Sequence, residues 1–331
     1  MKYSETSKYM LKYQKAKAKL VEYNIDESNY PRFPLNSNEL SYPTVYALSR
    51  YAESVIEDNY EDQQEYEPML MVAAQYYDAA VNSKDRSNYD TDFLLSAAAA
   101  YFLSDDFGST KVMCVEMNGQ IRSKVNSPQN LLIDLLQFLL LNRKCAESEE
   151  NNLYGKIRNA FCLYFNNGAA KDSLLKYLTE YRIETYGEEN PMQIFFVDLL
   201  YAIVIRAIEK SSWNLLPIYS ALSAEHWNDY LCNSNSIKML WPSQQLIGRE
   251  GILQGKNAIV QLPTGVGKTK GITGVGIACK SNSHFGFLLV QIKNLQHCCE
   301  FTKVLAVANI SSKDNQQTAF LRHQRMIASA S

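Results

Sequence analysis

No stretch before residue 235 alternates apolar and polar side chains with period two over a useful length; the apolar residues recur at helical spacing instead. A chain with that pattern cannot build its first two thirds from sheet, and it is expected to form an α-helical array. The spacing predicts helices over 45–57, 66–81, 92–103, 109–117, 128–141, 153–165, 173–185, 191–208 and 217–230. Ser127 followed by Pro128 supplies a cap and a first-turn proline for the helix 128–141, which is apolar nearly all round and is expected to be central.

Ahead of the array, residues 7–24 carry Met10, Leu11, Tyr13, Leu20 and Val21 among Lys8, Lys12, Lys15, Lys17 and Lys19. This is the pattern of an amphipathic helix with a lysine face, more often solubilising than a contact for nucleic acid. Residues 29–43 hold three prolines among Asn and Ser and read as loop, and the acidic stretch 57–67 reads as an exposed connector without a catalytic carboxylate pair. Small residues at 79–80 and 96–100, bracketed by Tyr76, Tyr77, Tyr101 and Phe102, resemble a tetratricopeptide-like helical hairpin, although no fixed period repeats. The 22 tyrosines read as interface and core rims rather than a stacking platform for bases.

At 331 residues and 46% hydrophobic content the chain has room for two ordinary cores. The longest apolar run, 194–205, contains Asp198 and reads as a buried helix, so no membrane partner is expected. The polar start Met1-Lys2-Tyr3-Ser4-Glu5 has no apolar core for export, and seven scattered cysteines fit reduced thiols; both suggest a cytoplasmic protein. His284, His297 and the pair Cys298-Cys299 lack the spacing of a metal site. The net charge of −2 is unevenly spread: residues 270–331 hold five Lys and two Arg against one Asp and one Glu, which is +5 and leaves −7 for the remainder. A basic face there is compatible with tracking phosphates and more often only solvated.

The polar joint 232–236 marks a change of class, so residues 1–235 are expected to form a helical interaction domain and 236–331 an incomplete α/β domain. Helix 243–254, strand 257–262, a helix from 267, strand 285–290, helix 292–301, strand 304–310 and helix 315–327 would alternate, which implies a parallel sheet with right-handed crossovers. Between the first strand and its helix lies Pro263-Thr264-Gly265-Val266-Gly267-Lys268-Thr269. Gly265 and Gly267 let successive N–H groups point at one anion, Lys268 supplies a point charge for the β- and γ-phosphates, and Thr269 offers a hydroxyl to Mg²⁺.

The Pro-Thr-Gly-x-Gly-Lys-Thr form, with Leu262 where the strict phosphate-loop pattern has glycine, resembles motif I of superfamily 2 helicases. Trp241-Pro242-Ser243-Gln244-Gln245 sits where that superfamily, including its DEAD-box and RecQ-like groups, carries an adenine-reading glutamine. The resemblance implies a RecA-like domain binding ATP and Mg, with Gln245, or Gln244 as the fallback, on the adenine edge. It implies a nucleic-acid track, DNA rather than RNA. The segment 287–295 sits where superfamily 2 proteins carry their next element, which grips the nucleic-acid backbone, without the usual proline, and 304–317 is similar to the strand and capped helix that follow in RecQ-like enzymes. A long helical preface before such a motor is similar to helicase subunits of bacterial anti-phage systems such as Hachiman, where it would dock a protein partner.

The chain departs from that family in ways that bear on turnover. The acids after the loop are Glu300 and Asp314, each alone, so no Asp-Glu pair is present to hold Mg²⁺ and position water. The later motifs and a second motor domain are also missing. Gly271, Gly274 and Gly276 burden the expected helix by about 1 kcal/mol each, and Thr264-Gly265-Val266-Gly267 is repeated at 273–276. Such a chain reads as a fragment of a helicase that binds nucleotide better than it cleaves it. The alternative is a helical protein-interaction module with an inactive phosphate-loop remnant.

Overall fold

The computed structural model describes residues 38–81, 91–117, 127–143, 152–233, 236–254, 256, 260–261, 287–292 and 303–308. The chain divides into two units, Met1–Glu209 and Lys210–Ser331. The division falls ahead of the polar joint at 232–236, so the last helix of the expected array, over 217–230, groups with the segment that follows it.

The first unit contains α1 (Asn38–Ile56), α2 (Tyr60–Val81), α3 (Thr91–Leu103), α4 (Phe107–Glu116), α5 (Pro128–Leu141), α6 (Leu153–Asn167), α7 (Lys171–Gly187) and α8 (Pro191–Glu209). Side-chain oxygens start several of them. Asp106 Oδ1 accepts from Ser109 N (3.0 Å), Ser127 Oγ from Asn130 N (3.2 Å) and Asn152 Oδ1 from Gly155 N (2.8 Å). The left-handed residues Asn142 and Gly168 stop α5 and α6.

Successive helices pack on one another, and α8 then packs against α1, α3, α5 and α7. Its contact with α1 closes the array on itself, unlike a tetratricopeptide stack in which each hairpin touches only its neighbours. α3 lies wholly inside from Leu94 to Leu103; Ala97, Ala98, Ala99 and Ala100 let backbones approach while Phe102 fills the remaining space against Phe107. α8 is, among the described residues, the helix long and apolar enough to cross a membrane, and Phe196, Val197, Leu199, Leu200, Ile203 and Val204 are buried inside the unit. Its Asp198 is satisfied there: Arg182 Nε donates to Oδ1 (2.7 Å) and the Tyr186 hydroxyl to Oδ2 (2.6 Å).

Two expectations are corrected in this unit. The stretch 57–67 is no connector from Tyr60 onward, because Glu61 and Asp62 sit in the first turn of α2, where negative charge meets the positive helix end. Asn59 Oδ1 accepts from Asp62 N (3.2 Å), and Asp62 also takes Nη2 of Arg50 (3.2 Å). The helix consequently runs through Pro68, and α1 likewise begins inside the expected loop and runs through Pro43. The thiols are not all reduced either: Cys162 on α6 is disulfide-bonded, whereas Cys114 is free and burial pushes its thiol up to about 12. Linear spacing carried no sign of that bond, since proximity in a helical array is set by packing.

A part-buried polar junction ties α8 to the first hairpin. Arg206 Nη2 donates to Gln63 Oε1 (2.6 Å) and to the Tyr51 hydroxyl (3.1 Å), while Gln63 Nε2 donates to Ser54 O (3.0 Å). Arg206→Met keeps the apolar stem and removes the guanidinium from these partners and from Glu209, to which Nη1 donates at the helix end (2.8 Å). We expect it to lower stability by about 1.5 kcal/mol, read as a lower urea midpoint by far-UV circular dichroism with an unchanged slope.

The second unit holds α9 (Ser212–Ser220), α10 (Ala224–Leu231), α11 (Pro242–Arg249), a 3₁₀ turn (Ile252–Gln254) and strands β1 (Val260–Gln261), β2 (Phe287–Ile292) and β3 (Lys303–Ala308). The single helix expected over 217–230 is two, broken where Ala221 adopts a left-handed conformation (φ 56°). The strands run in the order β1-β3-β2 and pair antiparallel, with Val260 opposite Val304 and Leu289 opposite Ala306. The expected parallel pairing is therefore not what they form. Only residues 293–302 join β2 to β3, fewer than the dozen or more, roughly, that a parallel crossover takes.

Candidate nucleotide-binding site

Seven of the eight residues expected to hold ATP, Pro263, Thr264, Gly265, Val266, Gly267, Lys268 and Thr269, lie outside the described residues, as do the helices expected from 267, over 292–301 and over 315–327. The eighth, Gln245, is described together with the helix that carries it.

That helix grows from a short ladder. Met239 bridges Ser211 in antiparallel sense, Ser212 N donates to Lys238 O (3.0 Å) and Leu240 N to Lys210 O (2.8 Å). Trp241, extended, then caps α11, and Pro242 occupies the first turn, where its missing N–H costs nothing. Gln244 Oε1 accepts from Trp241 N (2.9 Å), and the Trp241 carbonyl accepts from both Gln244 N (2.8 Å) and Gln245 N (2.9 Å). Two glutamines in succession thus fix the first turn from both directions.

Gln245 is 5% exposed. Its Nε2 donates to Leu240 O (2.8 Å) and its Oε1 accepts from Nη2 of Arg249 one turn on (3.0 Å). An amide offers two N–H groups and two lone pairs, so these two bonds use one of each and lock the side chain's orientation. Arg249 is the residue that spacing alone did not single out; its signal is the four-residue offset from Gln245.

Beneath α11 lies a small core of Leu216, Trp227, Leu231, Ile237, Leu240, Ile247, Ile252 and Leu253. Gly248 turns its bare face to the Tyr219 ring, where even a Cβ would meet ring carbons at 2.1 to 2.8 Å. Lys238 is buried beside this core with Nζ donating to Ser236 Oγ (3.1 Å) and, at the limit of bonding distance, to Asn233 O (3.5 Å). Burial among neutral oxygens pushes its ammonium pKa down. After α11 the chain turns at Gly251 (φ 75°) and reaches β1, so the order of glutamine helix, strand and glycine-spaced segment runs along the sequence without interruption.

Among the described residues no group of three or more His, Cys, Asp or Glu side chains converges to hold a metal ion. No protein-family model matches the sequence, and no curated protein or solved structure matches it either.

Proposed function

We propose that the chain joins a helical interaction scaffold to a nucleotide-binding segment of the superfamily 2 helicase type, RecA-like in origin, that takes ATP with Mg²⁺. The observation that carries this reading is the run Pro263 to Thr269, preceded by a helix whose paired glutamines are fixed at its first turn. In it Lys268 neutralises the outer phosphates, Thr269 ligates Mg²⁺ and the Gly265 and Gly267 amides cradle the anion; this donor set suits a triphosphate. DNA is the track and a protein partner sits on the scaffold, in keeping with a cytoplasmic role in prokaryotic anti-phage defence. Within residues 270–331 the acids are Glu300 and Asp314, each alone, so these residues supply no acidic pair to position the attacking water.

The antiparallel strand pairing favours a second reading, an interaction module whose phosphate loop is a remnant. The three tryptophans, Trp213, Trp227 and Trp241, all lie in the second unit, so their fluorescence reports on it alone. Mg·ATP titrated against the full chain should quench or shift that emission, confirmed by calorimetry, and Lys268→Ala should weaken binding about tenfold or more. Phosphate release should stay at background. Equal binding by both proteins would sink nucleotide recognition at this loop, and no binding by wild type leaves the interaction module.

A further inference from the structure

The C-terminal end of α7 breaks three local rules at once. Ile183 is 69% exposed, Tyr186, three residues on and a neighbour on the same surface, is 42% exposed, and Met192, opening α8 across the turn at 188–190, is 49% exposed. Around them stand Glu180, Glu184, Glu188 and Glu189, gathered at the negative end of a helix that has no basic residue in its last turn. Glu189 also adopts a left-handed conformation (φ 53°). Among the described residues, Arg182 is already bound by Asp198, and Lys176 stands 3.9 Å from Glu180 in an exposed pair. The inner face of α7 buries Leu174, Leu178 and Thr185, and Tyr186 serves the fold through its hydroxyl, which donates to Asp198; Ile183 and Met192 are left to the solvent side. Apolar area left in water beside carboxylates placed against a helix dipole marks a surface shaped for something other than the fold.

We propose that this outer surface of the α7–α8 hairpin docks a lysine- or arginine-bearing amphipathic helix of a partner protein. Ile183, Tyr186 and Met192 take its apolar stripe, and the four glutamates take its cations. The charge decides among occupants. A nucleic acid or an anionic membrane would be repelled, and a second copy in a two-fold contact would set the same carboxylates against each other. A cationic helix relieves both the like-charge crowding and the unfavourable dipole. The inference rests on reading the array as an interaction scaffold and is independent of ATP binding, so a chain that fails to bind nucleotide can still pass this test.

The test uses the full chain and a fluorescent leucine–lysine amphipathic peptide of about five helical turns, read by anisotropy. Wild type should bind it. Ile183→Ser with Met192→Ser, and separately Glu184→Gln with Glu188→Gln, should each weaken binding about tenfold with the melting temperature unchanged. Glu61→Gln with Glu65→Gln, which removes exposed acids elsewhere on the array, should leave it intact. No binding by wild type, or equal affinity for all variants, would overturn the proposal. So would binding that emerges only when Lys8, Lys12, Lys15, Lys17 and Lys19 are changed to Gln, because the chain's own N-terminal lysines would then occupy the surface.

Discussion

Trp227→Ala is expected to cost the second unit about 3–5 kcal/mol. The indole is fully buried among Leu216, Leu231, Ile237, Leu240, Ile247, Ile252 and Leu253, so truncation leaves a cavity that neighbours from three short helices cannot all close. It also breaks a polar chain: Trp227 Nε1 donates to Ser220 Oγ (3.1 Å), which in turn donates to Leu216 O (2.7 Å) and accepts from Leu222 N (3.3 Å). That serine hydroxyl stops α9 and orients the turn into α10, so the indole N–H supports a chain reversal as well as a core. Trp227→Phe separates the two contributions, keeping most of the apolar area while removing the N–H. Its expected cost is about 1–2 kcal/mol. The remaining Trp213 and Trp241 follow the second unit in urea, while far-UV circular dichroism is dominated by the helices of the first. The prediction fails if the fluorescence midpoint of Trp227→Ala stays at that of wild type.

The helical two thirds of the chain were legible because helices report their buried stripe in sequence, and Asp198 inside an apolar run did mark an inward-facing helix with a partner. What spacing could not supply were facts that depend on distant residues. Arg206, Gln63 and Tyr51 meet across the array, and that junction ties the first turn of α2 to α8. Strand positions near 287–292 and 303–308 were readable from their apolar runs, yet pairing direction was not, since a buried run looks alike in parallel and antiparallel sheets. At the candidate site the paired glutamines were legible as residues, but not their partners. Those partners are close in sequence, Leu240 O five residues before Gln245 and Arg249 four after it; what no local pattern encodes is the ladder 210–212 with 238–240, spanning nearly thirty positions, that leads into the helix.

Gly248→Ala distinguishes local propensity from packing by the sign of its effect. Alanine is the better helix former by about 1 kcal/mol in a helix interior, so on sequence grounds the change within α11 should stabilise. The structure predicts the reverse. A Cβ at 248 would stand 2.1 Å from Cδ2 and 2.4 Å from Cγ of Tyr219, and the ring cannot simply swing aside. Tyr219 packs on the second unit's core, and its own carbonyl accepts from Gln254 Nε2 (3.1 Å), which holds the backbone beneath it. Relief then requires α11 to lift, straining the Trp241 cap and the Gln245 bonds at its start. The net expectation is a loss of about 2–3 kcal/mol, with a red shift of Trp241 emission. In a Tyr219→Ala background the same substitution should be neutral or stabilising by up to about 1 kcal/mol, because the obstruction is gone and the propensity gain remains. Were Gly248→Ala to stabilise the protein with Tyr219 present, the close approach of α9 and α11 would be wrong, and with it the rigid seat on which the glutamine helix stands.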